Sequence, residues 1–536
     1  MQLRMWTYDL AREQTPDLVV LRSLCRLSLE SGYNAIGLYL EHRFAYESAP
    51  WAQGRHCVTA EMVQTLEREF PTLQIIPFVN LLGHFEGFIY TEEGAQFAEE
   101  RFKGMQADPT NPDFLALCRS LIDDVLAAFS SEIVHIGGDE TAQLGAGKRS
   151  AARVAEFGPD VDGKAELYGG HFGPLAAYVS ERGRRPAVWG DMFHDHPTAL
   201  AHLPKETLIF EWQYFRTAEH SAEMFRDAGM EVVLCPAIQT YSAVWCHLPQ
   251  SERNVCENAE AAVRRGDYGV CVTTWECGLF GNYETLLPAI RASGKILCDA
   301  VPGIAQPDDV PRMGLGGAAS VRRYAETTTA PEMLAAYGVE GENVSEWAEF
   351  VGIRLQEAGG IFAYSDHRSF IKSRLLLYSN PFLLWLRNRE DLLGESGDRV
   401  FQLLDRSILQ APDSAYRGIN EFGKLAIEFV RFAEAARQAY RRGEVGRAVT
   451  ELSVCRQTFE NLERIAKGNQ LRFGGSLADI SRCRAAKEHV ERVIMRVKHY
   501  GDGSLGYIPS FETLTSLKFM PHDQGNWWLI NHWANE

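Results

Sequence analysis

At 536 residues, with 46% hydrophobic and 23% charged side chains, the chain has the make-up of a globular protein long enough to bury a full core. Lys plus Arg number 54 against 71 Asp plus Glu, and the resulting −17 argues against nucleic acid or an anionic membrane surface as the main partner. Eleven cysteines without a CxxC pair point to a reducing compartment. With no apolar run of the roughly 18 residues that a membrane span requires and no signal-peptide pattern at MQLRMWTYDLAREQTP, a soluble cytoplasmic protein is expected.

In chain order, apolar β-rich runs fall at Leu3 to Tyr8, Ala35 to Leu40, Gln74 to Val79, Ile133 to Ile136, Pro186 to Trp189, Thr207 to Trp212, Glu231 to Leu234 and Val270 to Trp275. Helical periodicity lies between them, at Leu18 to Leu29, Ala60 to Phe70, Asp113 to Phe129, Gly173 to Arg182 and Ala218 to Ala228. Eight strands alternating with helices over about 300 residues predict a closed (β/α)8 TIM barrel, an α/β fold. The first strand begins at the third residue, so nothing is expected to precede the barrel.

Beyond about residue 305 the strand signals stop. Val344 to Ala358, Phe370 to Arg387, Ile419 to Arg442, Arg447 to Ala466 and Ser476 to Lys498 repeat apolar residues at three- and four-residue spacing. The division expected is a catalytic barrel over 1–305, a proline-rich connection at Val301 to Met313, and an all-α C-terminal domain over 306–536. The last residues carry Trp527, Trp528 and Trp533, which a fraying terminus seldom does; this tail is expected to dock on the barrel or on a second subunit of a homodimer.

Barrel enzymes keep their chemistry at the C-terminal ends of the strands. There the sequence places Asp9 and Arg12, then Glu41, His42 and Arg43, then Asn80, Gly83, His84 and Glu86, and finally Asp139-Glu140 behind His135-Ile136-Gly137-Gly138. Consecutive residues of a strand face opposite sides, so a bend is needed if both acids are to serve one cavity. Trp189, Trp212 and Trp275 end three other strands, and Tyr241 follows a fourth. Flat aromatic faces suit the C–H faces of a pyranose, while Arg and carboxylates bind its hydroxyl edges.

This set resembles glycoside hydrolase family 20, the β-N-acetylhexosaminidases. The resemblance rests on HIGGDE (His135 to Glu140), Asp9-Leu10-Ala11-Arg12, Gly83-His84 and the tryptophans, and it covers roughly residues 1–300. YLEHRF (Tyr39 to Phe44) and GHFE (Gly83 to Glu86) fit the short subgroup, which begins directly at the barrel and ends in a helical domain. It implies retaining hydrolysis in which the substrate's own 2-acetamido oxygen attacks the anomeric carbon. Adjacent carboxyls are poorly arranged for the ordinary acid-and-nucleophile pair, which faces itself across the sugar about 5–5.5 Å apart.

In the roles so implied, Glu140 protonates the leaving oxygen and later activates water, its pKa raised by the nearby Asp139 charge. Asp139 accepts the acetamide N–H and stabilises the oxazolinium. Arg12 binds ring hydroxyls. Trp212 and Trp275 pack around the acetamido methyl and under the ring, and Trp189 completes the pocket. Tyr241 donates to the acetamide oxygen, with Tyr214 as its rival. Glu276 binds the outer hydroxyls, although it stands one residue earlier than the family places this acid; Glu284 is the alternative. His84 and Glu41 hold the catalytic acid.

The function expected is an exo-acting hydrolase of terminal β-linked GlcNAc or GalNAc on small glycans, with no cofactor or metal. A glycosidase acting on non-acetylated sugars is the first alternative and needs a second acid, Glu211 or Glu276; an inert sugar-binding barrel is the second. His194 and His196 near Asp191 fall short of the three or four convergent ligands of a metal site. Gly314-Leu315-Gly316-Gly317 lacks a phosphate loop's strand and Lys-Ser/Thr ending and reads as a linker.

Overall fold

The computed structural model describes residues 1–300 apart from 12, 13, 55, 102, 239–247 and 276–285. In the C-terminal part it describes 381–382, 385, 393–395, 398, 401–402, 404–405, 417–473, 477–499 and 501. Eight parallel strands form the core: β1 (Leu3–Asp9), β2 (Ala35–Tyr39), β3 (Gln74–Phe78), β4 (Ile133–His135), β5 (Arg185–Trp189), β6 (Leu208–Trp212), β7 (Val232–Cys235) and β8 (Gly269–Thr274). Each pairs with the next, and β8 returns to β1 through Leu3↔Gly269 to Trp6↔Val272, which closes the barrel. Every strand bound lies within one residue of its sequence expectation.

The period of two along each strand sorts two cores. Leu3 and Met5, Ile76 and Phe78, Ala187 and Trp189, Leu208 and Phe210, Val233 and Cys235 fill the barrel interior. The residues between them, such as Trp6, Tyr8, Ile75, Val188, Ile209 and Leu234, pack outward under the helices. Helix starts follow local chemistry: Asp17 accepts from the Val20 amide at 2.9 Å and Thr59 from the Met62 amide at 3.3 Å, each satisfying an end donor the helix itself cannot.

Two helices depart from expectation. The segment expected from Gly173 begins ten residues earlier, as Gly163–Glu181, and runs through Pro174. Its glycines let a neighbouring segment approach: a Cβ on Gly169 would stand 2.4 Å from the His202 ring. The helix expected over Ala218 to Ala228 spans only Glu223–Asp227, because the Ala218 amide is bonded to Asn258 Oδ1 at 2.9 Å in the neighbouring helix Leu248–Arg265. The sequence reading also lacked the antiparallel hairpin Ala98–Glu100 with Lys103–Ala107, which stands between β3 and β4.

In the C-terminal part, Arg417–Arg441, Val445–Phe473 and Leu477–His499 are consecutive helices packed against one another. Their apolar stripes interlock through Ala433, Phe429, Cys455, Phe459 and Val490. The expected helices at 344–358 and most of 370–387, the linker around 314, the domain boundary at 305 and the aromatic tail lie outside the described residues. No helix among the described residues is long and apolar enough to cross a membrane.

Candidate active site

Extending each strand's inward register past its C-terminal end predicts what lines the mouth: Glu41 from β2, Asn80 from β3, Asp139 from β4, Asp191 from β5, Trp212 from β6 and Trp275 from β8. Glu140 is out of that register, and a bent backbone brings it in. Gly137 and Gly138 stand at φ +81° and +109°, and Glu140 itself at +50°. A left-handed turn in a residue with a Cβ costs about 1–2 kcal/mol and marks a place held by its surroundings.

Three bonds hold it. Tyr168 donates to the Gly138 carbonyl at 2.7 Å, the Glu140 amide donates to Asp191 Oδ2 at 2.9 Å, and the Ala142 amide closes on the Glu140 carbonyl at 2.8 Å. Gly83 permits the close approach of the loop after β3, since a Cβ there would lie 2.1 Å from the Asp139 carbonyl oxygen. Just beyond the acids, Gln143 pegs the turn to the hairpin: its Oε1 accepts from the Met105 amide at 3.1 Å, and its own amide donates to Gln106 Oε1 at 3.0 Å.

The two acids converge. His84 Nε2 lies 3.4 Å from Asp139 Oδ2 and 3.3 Å from Glu140 Oε2, while His84 Nδ1 faces Glu41 Oε1 at 3.9 Å. Glu41, His84 and Asp139 are buried, whereas the Glu140 side chain is 47% exposed and reaches the opening. Asp139 Oδ1 has no hydrogen-bond partner among the described residues. A buried acceptor left in this way costs about 1–3 kcal/mol, which an incoming N–H donor would recover.

Beneath the turn, His135 stacks on Phe78 at 4.4 Å and accepts the Gly137 amide on Nδ1 at 3.1 Å. Burial pushes its pKa well down, so it is a neutral ring supporting the turn.

The opposite wall is aromatic. Trp275 Nε1 donates to the Tyr214 hydroxyl at 2.8 Å, and Tyr214 stacks on Trp212 with ring centres 5.0 Å apart and planes 24° apart. Trp275 meets Tyr39 edge-on at 4.8 Å and Trp189 at 5.9 Å. Trp212, Tyr214 and Trp275 are half-buried, and Trp189 is wholly buried under Trp275. Burial, with Asp139 and Glu140 nearby, pushes the Tyr214 phenol up and keeps it a neutral hydroxyl.

The structure therefore brings Asp139, Glu140, Glu41, His84, Trp212, Tyr214 and Trp275 to one mouth, with Trp189 as its floor. Arg12, Tyr241, Glu276 and Glu284 lie outside the described residues. Glu211 does not face the mouth: it lies between the inward Phe210 and Trp212, is buried toward the helices, and takes His194 Nε2 at 3.0 Å.

His194 and His196 diverge, the latter to Asp162 at 2.8 Å, so they do not form a metal pair. Glu41, His84 and Glu86 bring ligand atoms within 4.8 Å of one another, the one such group among the described residues. His84 spends its other nitrogen on the two acids, and this cluster is better described as their support. Sequence reasoning had weighed Asp191 only for a metal; the signal for its place was its spacing of two from the inward Trp189.

Residues 81–270 match the glycosyl hydrolase family 20 catalytic domain. Hexosaminidase D of Bos taurus is 26% identical over 188 residues, covering 34% of this chain and 54% of that protein. Hexosaminidase D of Homo sapiens is 25% identical over 222 residues, covering 40% and 45%. The chain spans about half the length of these curated relatives. Among solved structures, the Flavobacterium johnsoniae chitobiase aligns with TM-score 0.48 and 12% identity over 92% of this chain and 78% of that one. The β-N-acetylhexosaminidase from Bacteroides fragilis aligns with TM-score 0.44 and 14% identity over 57% and 68%.

Proposed function

We propose that this chain, whose residues 81–270 match the glycosyl hydrolase family 20 catalytic domain, is an exo-acting, retaining β-N-acetylhexosaminidase of that family that removes terminal β-linked GlcNAc or GalNAc from small glycans by substrate-assisted catalysis. The observation that carries the reading is the division of labour between two neighbouring acids on one histidine. Asp139 keeps a buried oxygen without a partner among the described residues, and Glu140 opens to the mouth.

In the proposed reaction the acetamide N–H donates to Asp139 Oδ1, which turns the acyl oxygen toward the anomeric carbon. Glu140 protonates the departing glycosidic oxygen as that acyl oxygen forms the new C–O bond. Asp139 then balances the positive charge of the oxazolinium. Glu140, now ionised, takes a proton from water as the water opens the ring with net retention. The half-buried Trp212 and Trp275 supply the walls for the sugar and its acyl methyl, and the neutral Tyr214 hydroxyl beside them is a donor within the described site. Tyr241 keeps its role only by resemblance.

An ordinary two-carboxylate mechanism would need a second acid across the sugar. Glu211 faces away from the mouth, which removes that candidate, and Glu276 lies outside the described residues. Turnover of an aryl N-acetyl-β-glucosaminide against the matching aryl β-glucoside tests the reading. The acetamido substrate is expected to be cleaved and the glucoside left essentially untouched. Comparable rates on both would reject acetamide participation, and binding without cleavage of either would make the barrel a sugar-binding module.

A further inference from the structure

We infer that Asp191 is a positioning residue for the acid: through the Glu140 amide it holds Glu140 in the left-handed turn from which the side chain reaches the barrel mouth. The inference rests on the acid role proposed for Glu140. Its basis is geometric. Asp191 opens the turn of helix Asp191–Asp195 directly behind β5, two residues after the buried Trp189, so its carboxyl is fixed by the barrel itself. Its Oδ2 accepts the Glu140 N–H at 2.9 Å. Its Oδ1 is buried and has no partner among the described residues.

Glu140 is the only one of the two acids with a left-handed backbone, at φ +50°, and its side chain is nearly half exposed. Packing alone therefore does little to aim it. The bond to its amide acts where packing cannot.

The groups facing Asp191 agree with a role through the backbone rather than through charge. Asp139, Glu140 and Glu211 all bear on it, and Tyr168 lies close by. Burial first, then the Asp139 charge, push the Asp191 carboxyl well up, which disfavours its charged form. Asparagine keeps an acceptor oxygen of the same reach for the Glu140 amide. Alanine and serine do not reach the amide.

The test uses the full chain and two aryl N-acetyl-β-glucosaminides, one with a poor leaving group (phenol) and one with a good one (dinitrophenol). Misplacing an acid harms the first far more than the second. Asp191→Ala is expected to lose kcat/KM, which reports the first step, on the poor leaving group by roughly 100-fold, the usual scale of a positioned acid, and only a few-fold on the good one. Asp191→Asn is expected to restore the wild-type ratio of the two rates.

Asp191→Ser, which keeps a polar group in the buried position, gives the same reading should the alanine variant fail to fold. A merely structural role would lower both substrates alike; equal losses, or an alanine variant with the wild-type ratio, overturn the inference. Wild-type protein inert toward both substrates would instead overturn the hydrolase reading beneath it.

Discussion

Glu140→Gln is expected to reduce kcat/KM on an aryl N-acetylglucosaminide with a poor leaving group by on the order of 10²–10⁴-fold, the range of general acid catalysis. The substitution is nearly isosteric at a half-exposed side chain, and the hydrogen bond to Asp191 is donated by the backbone N–H of residue 140, so the fold and the turn survive it. On a dinitrophenyl substrate, whose leaving oxygen departs without a proton, kcat/KM for the first step falls far less. Turnover there becomes limited by attack of water, because the same carboxylate also serves as the base. Steady-state kinetics across a series of leaving groups reads both effects. A uniform loss across the series would remove Glu140 from the acid role and leave it a structural one.

The second large effect concerns affinity. A thiazoline fused to the sugar copies the bicyclic intermediate and carries a ring nitrogen that can hydrogen-bond to Asp139 Oδ1. Sites complementary to a high-energy state bind its mimics at least about 100-fold more tightly than the ground-state product, so the thiazoline is expected to exceed GlcNAc by that factor or more. The gain should depend on Asp139, because its buried oxygen lacks a partner among the described residues; Asp139→Asn weakens the thiazoline far more than it weakens GlcNAc. Inhibition constants for the two ligands on the two proteins check this. Equal affinities on the wild type would mean that the acyl group takes no part.

Much of this site could be read without coordinates. Eight short, near-continuous apolar β-rich runs located every barrel strand within a residue, because both faces of each strand are buried and leave a strong pattern. HIGGDE announced two acids at a strand end and the need for a bend between them. How the bend is made was not legible. It depends on Glu140 itself turning left-handed, and on partners 28 and 51 residues further along the chain, Tyr168 and Asp191.

Counting by two from the inward tryptophans would have gone further than matching motifs did. From Trp212 it turns Glu211 outward, and from Trp189 it brings Asp191 in. The ladder Trp212–Tyr214–Trp275 is tertiary: an indole N–H meets a phenol 61 residues away, and no local pattern encodes that. The long helix Gly163–Glu181 was hidden by the glycines and proline that let its neighbour pack close.

A series of aryl glycosides that differ only in the 2-acyl group, from acetyl through mono-, di- and trifluoroacetyl, tests the central claim most directly. Fluorine draws electrons from the acyl oxygen without changing the sugar's fit at Trp212 and Trp275 by much. If that oxygen is the nucleophile, kcat/KM falls steeply with each fluorine added. A flat series would mean that some other group attacks the anomeric carbon, and the paired acids would have to be explained anew.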